Sequence, residues 1–337
     1  KKALSKLAGL AHNNFQAIMI TTMVSTICSW LNWGFGLIVG ALLAKEVAKR
    51  VPTVDYPLLI ASAYSGFVIW QDGLSGSIRL MLVPAEELIE VEWRNELRRQ
   101  GVISYLGGKV EFMHRGYMDD VDIAFLFHTR CNAKTIFDFN DSNGCMAKEI
   151  TYIGKASHAG GSPHAGINAL YAANIGLSAI NALRETFRDQ DHVRVHPILN
   201  VGNVAVNIIP PKANISAFVR GASMEIMAEA NRKVDRALAA GALAIGAKVH
   251  VVDQPGYAPF LNYPPLMDLA DKVMGDLVGN EEVAHLPWGT GSTDMGDLSC
   301  IMPAVHPYCG GAEGLGHGNN YRVVDVEKAC VDSAKWQ

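Results

Sequence analysis

Two adjacent carboxylates, Glu86 and Glu87, follow an apolar run at 78–83 in the segment Pro84-Ala85-Glu86-Glu87. Neighbouring carboxylates repel unless a cation or a proton compensates, so the pair suits one metal ligand beside one general base. A helix N-terminus, where the dipole favours acidic side chains, accounts for them equally well. His128 ends the run 122–127, at the carboxyl edge where open α/β sheets place ligands, although a single histidine there is more often structural. His306 and His317 lie in the glycine-rich stretch 305–318, where the backbone can approach an ion closely.

The elements that must position these residues are clearest from 149 onwards. Residues 149–153 read as a strand. Residues 166–188 read as an amphipathic helix with Ile167, Leu170, Leu177, Ile180 and Leu183 on one stripe. Strands are expected at 194–200 and 204–209 around the turn Val201-Gly202-Asn203, and again at 214–219. Ser223 then caps a helix that runs to Ile245 and stops at Gly246, before a strand at 248–252. This order is the split βαβ pattern of a ferredoxin-like sandwich, which starts and ends on strands and so can be inserted into another domain. The expected division is therefore a discontinuous α/β domain, 1–148 with 257–337, interrupted by an α+β lid at 149–256. Within the larger domain, strands are expected at 77–83 and 121–127, and helices at 41–49 and 266–277.

Composition narrows the class. Of 337 residues, 49% are hydrophobic and 18% charged, which excludes disorder and allows one or two large cores. Lys and Arg number 29 against 33 Asp and Glu, so net charge offers no reason to bind nucleic acid or an anionic membrane. A small molecule is the better partner. Six cysteines, none in a C-x-x-C pair, read as reduced thiols of a cytoplasmic protein. Residues 13–44 carry no charge over a length that could span a bilayer, but Asn, Gln, Thr, Ser and three glycines interrupt them, and a buried helix plus strand is expected instead. No signal peptide is expected, and the absence of an initiator Met suggests a piece of a longer protein.

Several motifs, taken together and in order, resemble the peptidase M20 family. They are Pro84-Ala85-Glu86-Glu87, the run from Gly107-Gly108-Lys109 to His128, and Gly154-Lys155-Ala156-Ser157-His158-Ala159-Gly160-Gly161. Gly166 to Leu170, Val206-Asn207-Ile208-Ile209-Pro210, Val219-Arg220-Gly221 and Gly291-Ser292-Thr293-Asp294-Met295-Gly296-Asp297 complete the set. The nearest branch is the amidohydrolases, which include aminoacylases and aminobenzoyl-glutamate hydrolases. The resemblance implies a metallopeptidase-like α/β catalytic domain with the lid inserted, a homodimer formed through the lid, and two divalent ions, zinc, manganese or cobalt. It implies hydrolysis of a small N-acyl or aminobenzoyl amino acid amide by metal-activated water. Glu86 becomes the general base and Glu87, His128 and His317 metal ligands. His158 becomes a donor to the substrate carbonyl, and Arg220 and Asn207 contacts to the substrate, Arg220 to its carboxylate.

The resemblance begins near Ser75. The family's first metal motif, His-x-Cys-Gly-His, has no clean copy; the best placement is Gly9-Leu10-Ala11-His12-Asn13, which offers His12 as a ligand but has Leu10 where Cys is expected. A rival placement at Trp33-Gly34-Phe35-Gly36 offers no ligand. Three readings follow: one metal held by His12, Glu87, His128 and His317; a metal-poor relative that only binds ligands; or an unreliable sequence over the first part, residues 1–75. A dipeptidase or carboxypeptidase of the same family is the alternative activity.

Overall fold

The computed structural model describes residues 2–31, 33–56, 58–60, 62–63, 79–83 and 87–336. They form two compact units. One comprises 1–82, 129–136 and 309–337, and the other 83–128 and 137–308. These units are not cut at 149 and 256, the boundaries expected for the lid; the lid and the segments flanking it share one unit.

In the first unit the uncharged run is two helices, Asn14–Leu31 and Trp33–Arg50, and not a helix followed by a strand. Asn13 starts the first of them by accepting from the Gln16 amide at 2.9 Å. The seam between the helices is made of small residues. A Cβ at Gly40 would come within 2.7 Å of Ser25 Oγ, and one at Gly36 within 2.4 Å of Ser29 Cα, so only glycine permits this approach. Thr21, Ser25 and Ser29, four residues apart, are therefore fully buried, and Ser25 donates to the Ala63 carbonyl at 2.5 Å. Leu43, Ala44, Val47 and Leu59 complete the core, while Phe15, Met23, Ile27, Ile38 and Leu42 point outward. No described helix is long and apolar enough to cross a membrane. Further along, the strand Tyr308–Glu313 pairs antiparallel with Arg322–Val323.

The second unit contains the four-stranded lid sheet. Its strands are, in chain order, Gly144–Ile153, Arg194–Asn200, Lys212–Gly221 and Lys248–Tyr257, all antiparallel, with spatial order second, third, first, fourth. Two helices, Ala169–Ala182 and Met224–Ile245, cover one face. Asn168 caps the first by accepting from the Tyr171 amide at 3.1 Å. Ser223 caps the second by accepting from the Ile226 amide at 3.2 Å, and Gly246 ends it in the left-handed region at φ 75°. Ile150, Tyr152, Val195, Ile215, Val219, Val234 and Leu238 form the core beneath them. The helices meet at Gly176 and Gly241, where a Cβ on Gly241 would sit 2.4 Å from the Ala172 carbonyl oxygen.

Some expectations from sequence change. Residues 204–209 are not a strand but a turn with one isolated bridge, Ile208 to His158, because Pro210 and Pro211 have no N–H to extend a ladder. The helix expected over 166–188 is regular only from Ala169 to Ala182, with single 3-10 turns at Pro163–Ala165 and Arg184–Thr186. Of the strand expected at 77–83, residues 77 and 78 lie outside the described residues and 79–83 have no regular structure. The strand expected at 121–127 shrinks to Ala124–Phe125, paired parallel with Ala304–Val305. The helix Pro264–Val278 agrees with the expected one.

Candidate functional site

Arg220 is the penultimate residue of the third lid strand and is half-buried. Its Nη1 donates to Ser292 Oγ at 2.7 Å, and its guanidinium lies 5.2 Å from the centre of the Phe218 ring, two residues back on the same strand face. Ser292 comes from the 291–297 segment, whose next acidic residue, Asp294, is fully buried in an ion pair with Lys109. The two sequence runs around Lys109 and Ser292 are thus joined by a buried charge pair, and the pair fixes the loop that holds Arg220. Cys145 faces Arg220 across the first lid strand, and burial pushes its thiol up despite the nearby guanidinium. Asp297 accepts from the Ala258 amide at 3.0 Å; burial pushes its carboxyl up to about 6, against the pull of that amide and of Lys109.

His158 and Asn207 sit on adjoining exposed turns of the same unit. The Ala159 amide donates to the Asn207 carbonyl at 2.9 Å, and the Ile209 amide to the Ser157 carbonyl at 2.9 Å, so the turns move as a pair. His158 Nδ1 accepts from the Gly161 amide at 2.9 Å and from the Gly160 amide at 3.2 Å. A nitrogen that accepts from backbone carries no proton, so the neutral ring presents Nε2–H outward as a donor. That is the tautomer needed to donate to a carbonyl oxygen.

The candidate metal ligands fare differently. Glu86 lies outside the described residues. Glu87 and His128 are exposed residues of the second unit, whereas His12 and His317 are exposed residues of the first. The His12 amide donates to Gln16 Oε1 at 2.9 Å, and His317 adopts a left-handed φ of 59°. His306, the other loop histidine, is buried: its Nδ1–H donates to the Leu126 carbonyl at 2.9 Å and its ring stacks on Tyr308 at 4.8 Å. Burial pushes its pKa down to about 3, with His128 and Lys109 adding repulsion, so it stays neutral. Among the described residues no three or more His, Cys, Asp or Glu side chains are gathered so as to hold a metal ion.

Sequence motifs led to Arg220, His158 and Asn207 but gave no role to Ser292, Lys109 or Asp294. Their signal was present in two motif runs; what was missing was the knowledge that the two runs touch.

Solved structures show the fold first. The fold is shared with an aminohydrolase from methicillin-resistant Staphylococcus aureus, at a TM-score of 0.62 and 18% identity over 83% of this chain and 70% of that one. It is shared too with a dinuclear metal binding peptidase of the M20 family from Bacillus subtilis, at 0.59 and 16% over 83% and 70%. This is the M20 peptidase fold, α/β with a dimerisation domain.

Sequence comparison then adds relatives. Residues 141–245 match the peptidase dimerisation domain of M20 proteins. The chain is 31% identical to the Xaa-Arg dipeptidase of Mus musculus over 64% of its own length and 50% of that protein's. It is 26% identical to one of the p-aminobenzoyl-glutamate hydrolase polypeptides of Escherichia coli over 40% and 29%. Through this part the chain resembles M20 amidohydrolases, and it spans about half the length of the curated dipeptidases it matches.

Residues 1–104 match a different model, that of short chain fatty acid transporters. Over 24% of this chain and 18% of the other protein, identity to an Escherichia coli protein described as a short-chain fatty acid transporter reaches 49%. The missing first metal motif is explained by this match. The segment in which it was sought, His12 included, follows the pattern of another family.

Proposed function

We propose that the chain acts in the amidohydrolase class of its relatives, on small N-acyl or aminobenzoyl amino acids, and that it recognises them by their carboxylate. The observation that carries this is Arg220, held near the end of the third lid strand by Ser292 and Phe218, with a planar fork suited to a carboxylate. His158, as an Nε2–H donor, takes the amide carbonyl, and Asn207 beside it adds a polar contact. A divalent ion, zinc, manganese or cobalt, would be held by Glu87, His128 and His317 and would supply an activated water, with Glu86 as the base. We further propose a homodimer formed through the lid at 149–256 and a cytoplasmic location.

The second reading, a relative that binds such ligands without turning them over, is favoured by one finding: no metal-holding group is gathered among the described residues. One experiment separates the two. The full chain is incubated with zinc, manganese or cobalt and a panel of N-acetyl amino acids and p-aminobenzoyl-glutamate, while bound metal, ligand binding and released amine are measured. Turnover that Glu86→Gln abolishes without loss of ligand binding supports hydrolysis. Binding with neither stoichiometric metal nor turnover supports the second reading, and absence of all three overturns both.

A further inference from the structure

Arg220 has a neighbour that no role yet explains. On the second lid strand Arg194 stands directly opposite it in the antiparallel register. Such partners share a sheet face with their Cβ atoms about 5 Å apart, and like charges in that position destabilise the pairing. The flanking pair, Val195 and Val219, is buried under the lid helices, so the two arginines occupy the face away from them. Among the described residues no carboxylate pairs with either one: Arg220 donates to the Ser292 hydroxyl, and the exposed Arg194 donates to its own neighbour, the Val193 carbonyl, at 2.9 Å. The nearest acidic candidate in sequence, Asp191, is engaged by Arg188. Two arginines that are partners in register thus have no carboxylate partner among the described residues.

We propose that Arg194 and Arg220 together take a ligand with two carboxylates: an N-acyl amino acid whose side chain is itself acidic, of the glutamate or aspartate type. Arg220, braced from behind, takes the α-carboxylate. Arg194, unbraced and more exposed, adjusts to the side-chain carboxylate and sets specificity. This rests on the reading of Arg220 given above and goes beyond it in naming the acidic side chain and the residue that selects it.

The test compares N-acetyl-glutamate with N-acetyl-glutamine, equal in size but differing by one charge, by titration calorimetry on the full chain. The unaltered protein is expected to bind the glutamate form at least tenfold more tightly. Arg194→Gln should erase that difference while leaving N-acetyl-glutamine affinity unchanged, and Arg194→Lys should restore part of it. Arg220→Gln should weaken both ligands. Equal affinity for the two ligands in the unaltered protein, or equal loss of both in Arg194→Gln, overturns the proposal. Glutamate-selective binding without any hydrolysis leaves it standing while the hydrolytic reading fails; hydrolysis without selectivity does the reverse.

Discussion

At the residue scale the chemistry lies in how each side chain is braced. Ser292 has no reason to contact substrate, but its hydroxyl orients Arg220, and a hydrogen bond to a charged group is worth about 1.5–3 kcal/mol. Ser292→Ala is therefore expected to weaken N-acyl amino acid binding by roughly tenfold, with little change in thermal stability, as read by calorimetry and a melting curve. Two buried titratable groups give opposite pH signatures. The folded pKa of His306, about 3, lies below its unfolded value of about 6.5, so the unfolded chain binds the extra proton. Its contribution is fully present above about pH 6.5 and is lost as pH falls toward 3. His306→Phe should flatten the loss of stability in denaturant titrations across that window. Asp297 behaves in the other sense. Its folded pKa, about 6, is raised, so its contribution is fully present below about pH 3.8 and is lost as pH rises through 6. Asp297→Asn, which keeps an acceptor for the Ala258 amide, should stabilise the protein above pH 6 by up to about 3 kcal/mol, the equivalent of two pKa units.

At the element scale the lid depends on two glycines and two caps. The Gly176–Gly241 crossing brings the two helix backbones into contact: a side chain at Gly241 would meet only the backbone of Ala172 and Gly176, and one at Gly176 would meet the Tyr152 hydroxyl. Gly241→Val is expected to cost about 1–3 kcal/mol or to prevent the lid from folding, measured by chemical denaturation. Ser223→Ala, which removes one cap bond, should cost only about 1 kcal/mol in the same assay. The N-terminal hairpin uses the same device in a different setting: Gly36 and Gly40 admit Ser25 and Ser29, so hydroxyls fill the seam and large apolar side chains face outward. Thr21 Oγ1 and Ser29 Oγ find no partner there among the described residues. A packed seam of this kind gains from close backbone contact and not from burying hydrophobic bulk. This is why its periodicity does not resemble the leucine stripes of the lid helices.

At the scale of the whole molecule, two family patterns follow one another along one chain. The transporter-like match covers 1–104 and the peptidase dimerisation match 141–245. The candidate metal ligands are divided between the two compact units, His12 and His317 in one and Glu87 and His128 in the other. On the hydrolytic proposal, protein prepared with excess zinc and then desalted is expected to carry at least one ion per chain by elemental analysis, and chelator should lower its melting temperature. Well under one ion per chain with a chelator-insensitive melt would favour the non-hydrolytic reading.

The lid was legible from residues alone, because alternating and 3.6-residue periodicities, an N-cap serine and a stop glycine are local signals that burial against one sheet reinforces. The strand Arg194–Asn200 and the helix ended by Gly246 lie where those signals put them. The absence of the family's first metal motif was legible too, since a motif either has its histidines and cysteine or does not, whereas the transporter-like match runs past Ser75 to 104. The turn at 204–209 was misread because alternation looks the same whether or not a partner strand is available, and Pro210 and Pro211 leave none. What only the tertiary structure decided are the pairings distant in sequence: Lys109 with Asp294, Arg220 with Ser292, and Arg194 opposite Arg220. Such contacts depend on strand order and register, which are set by long-range packing and which no local spacing encodes.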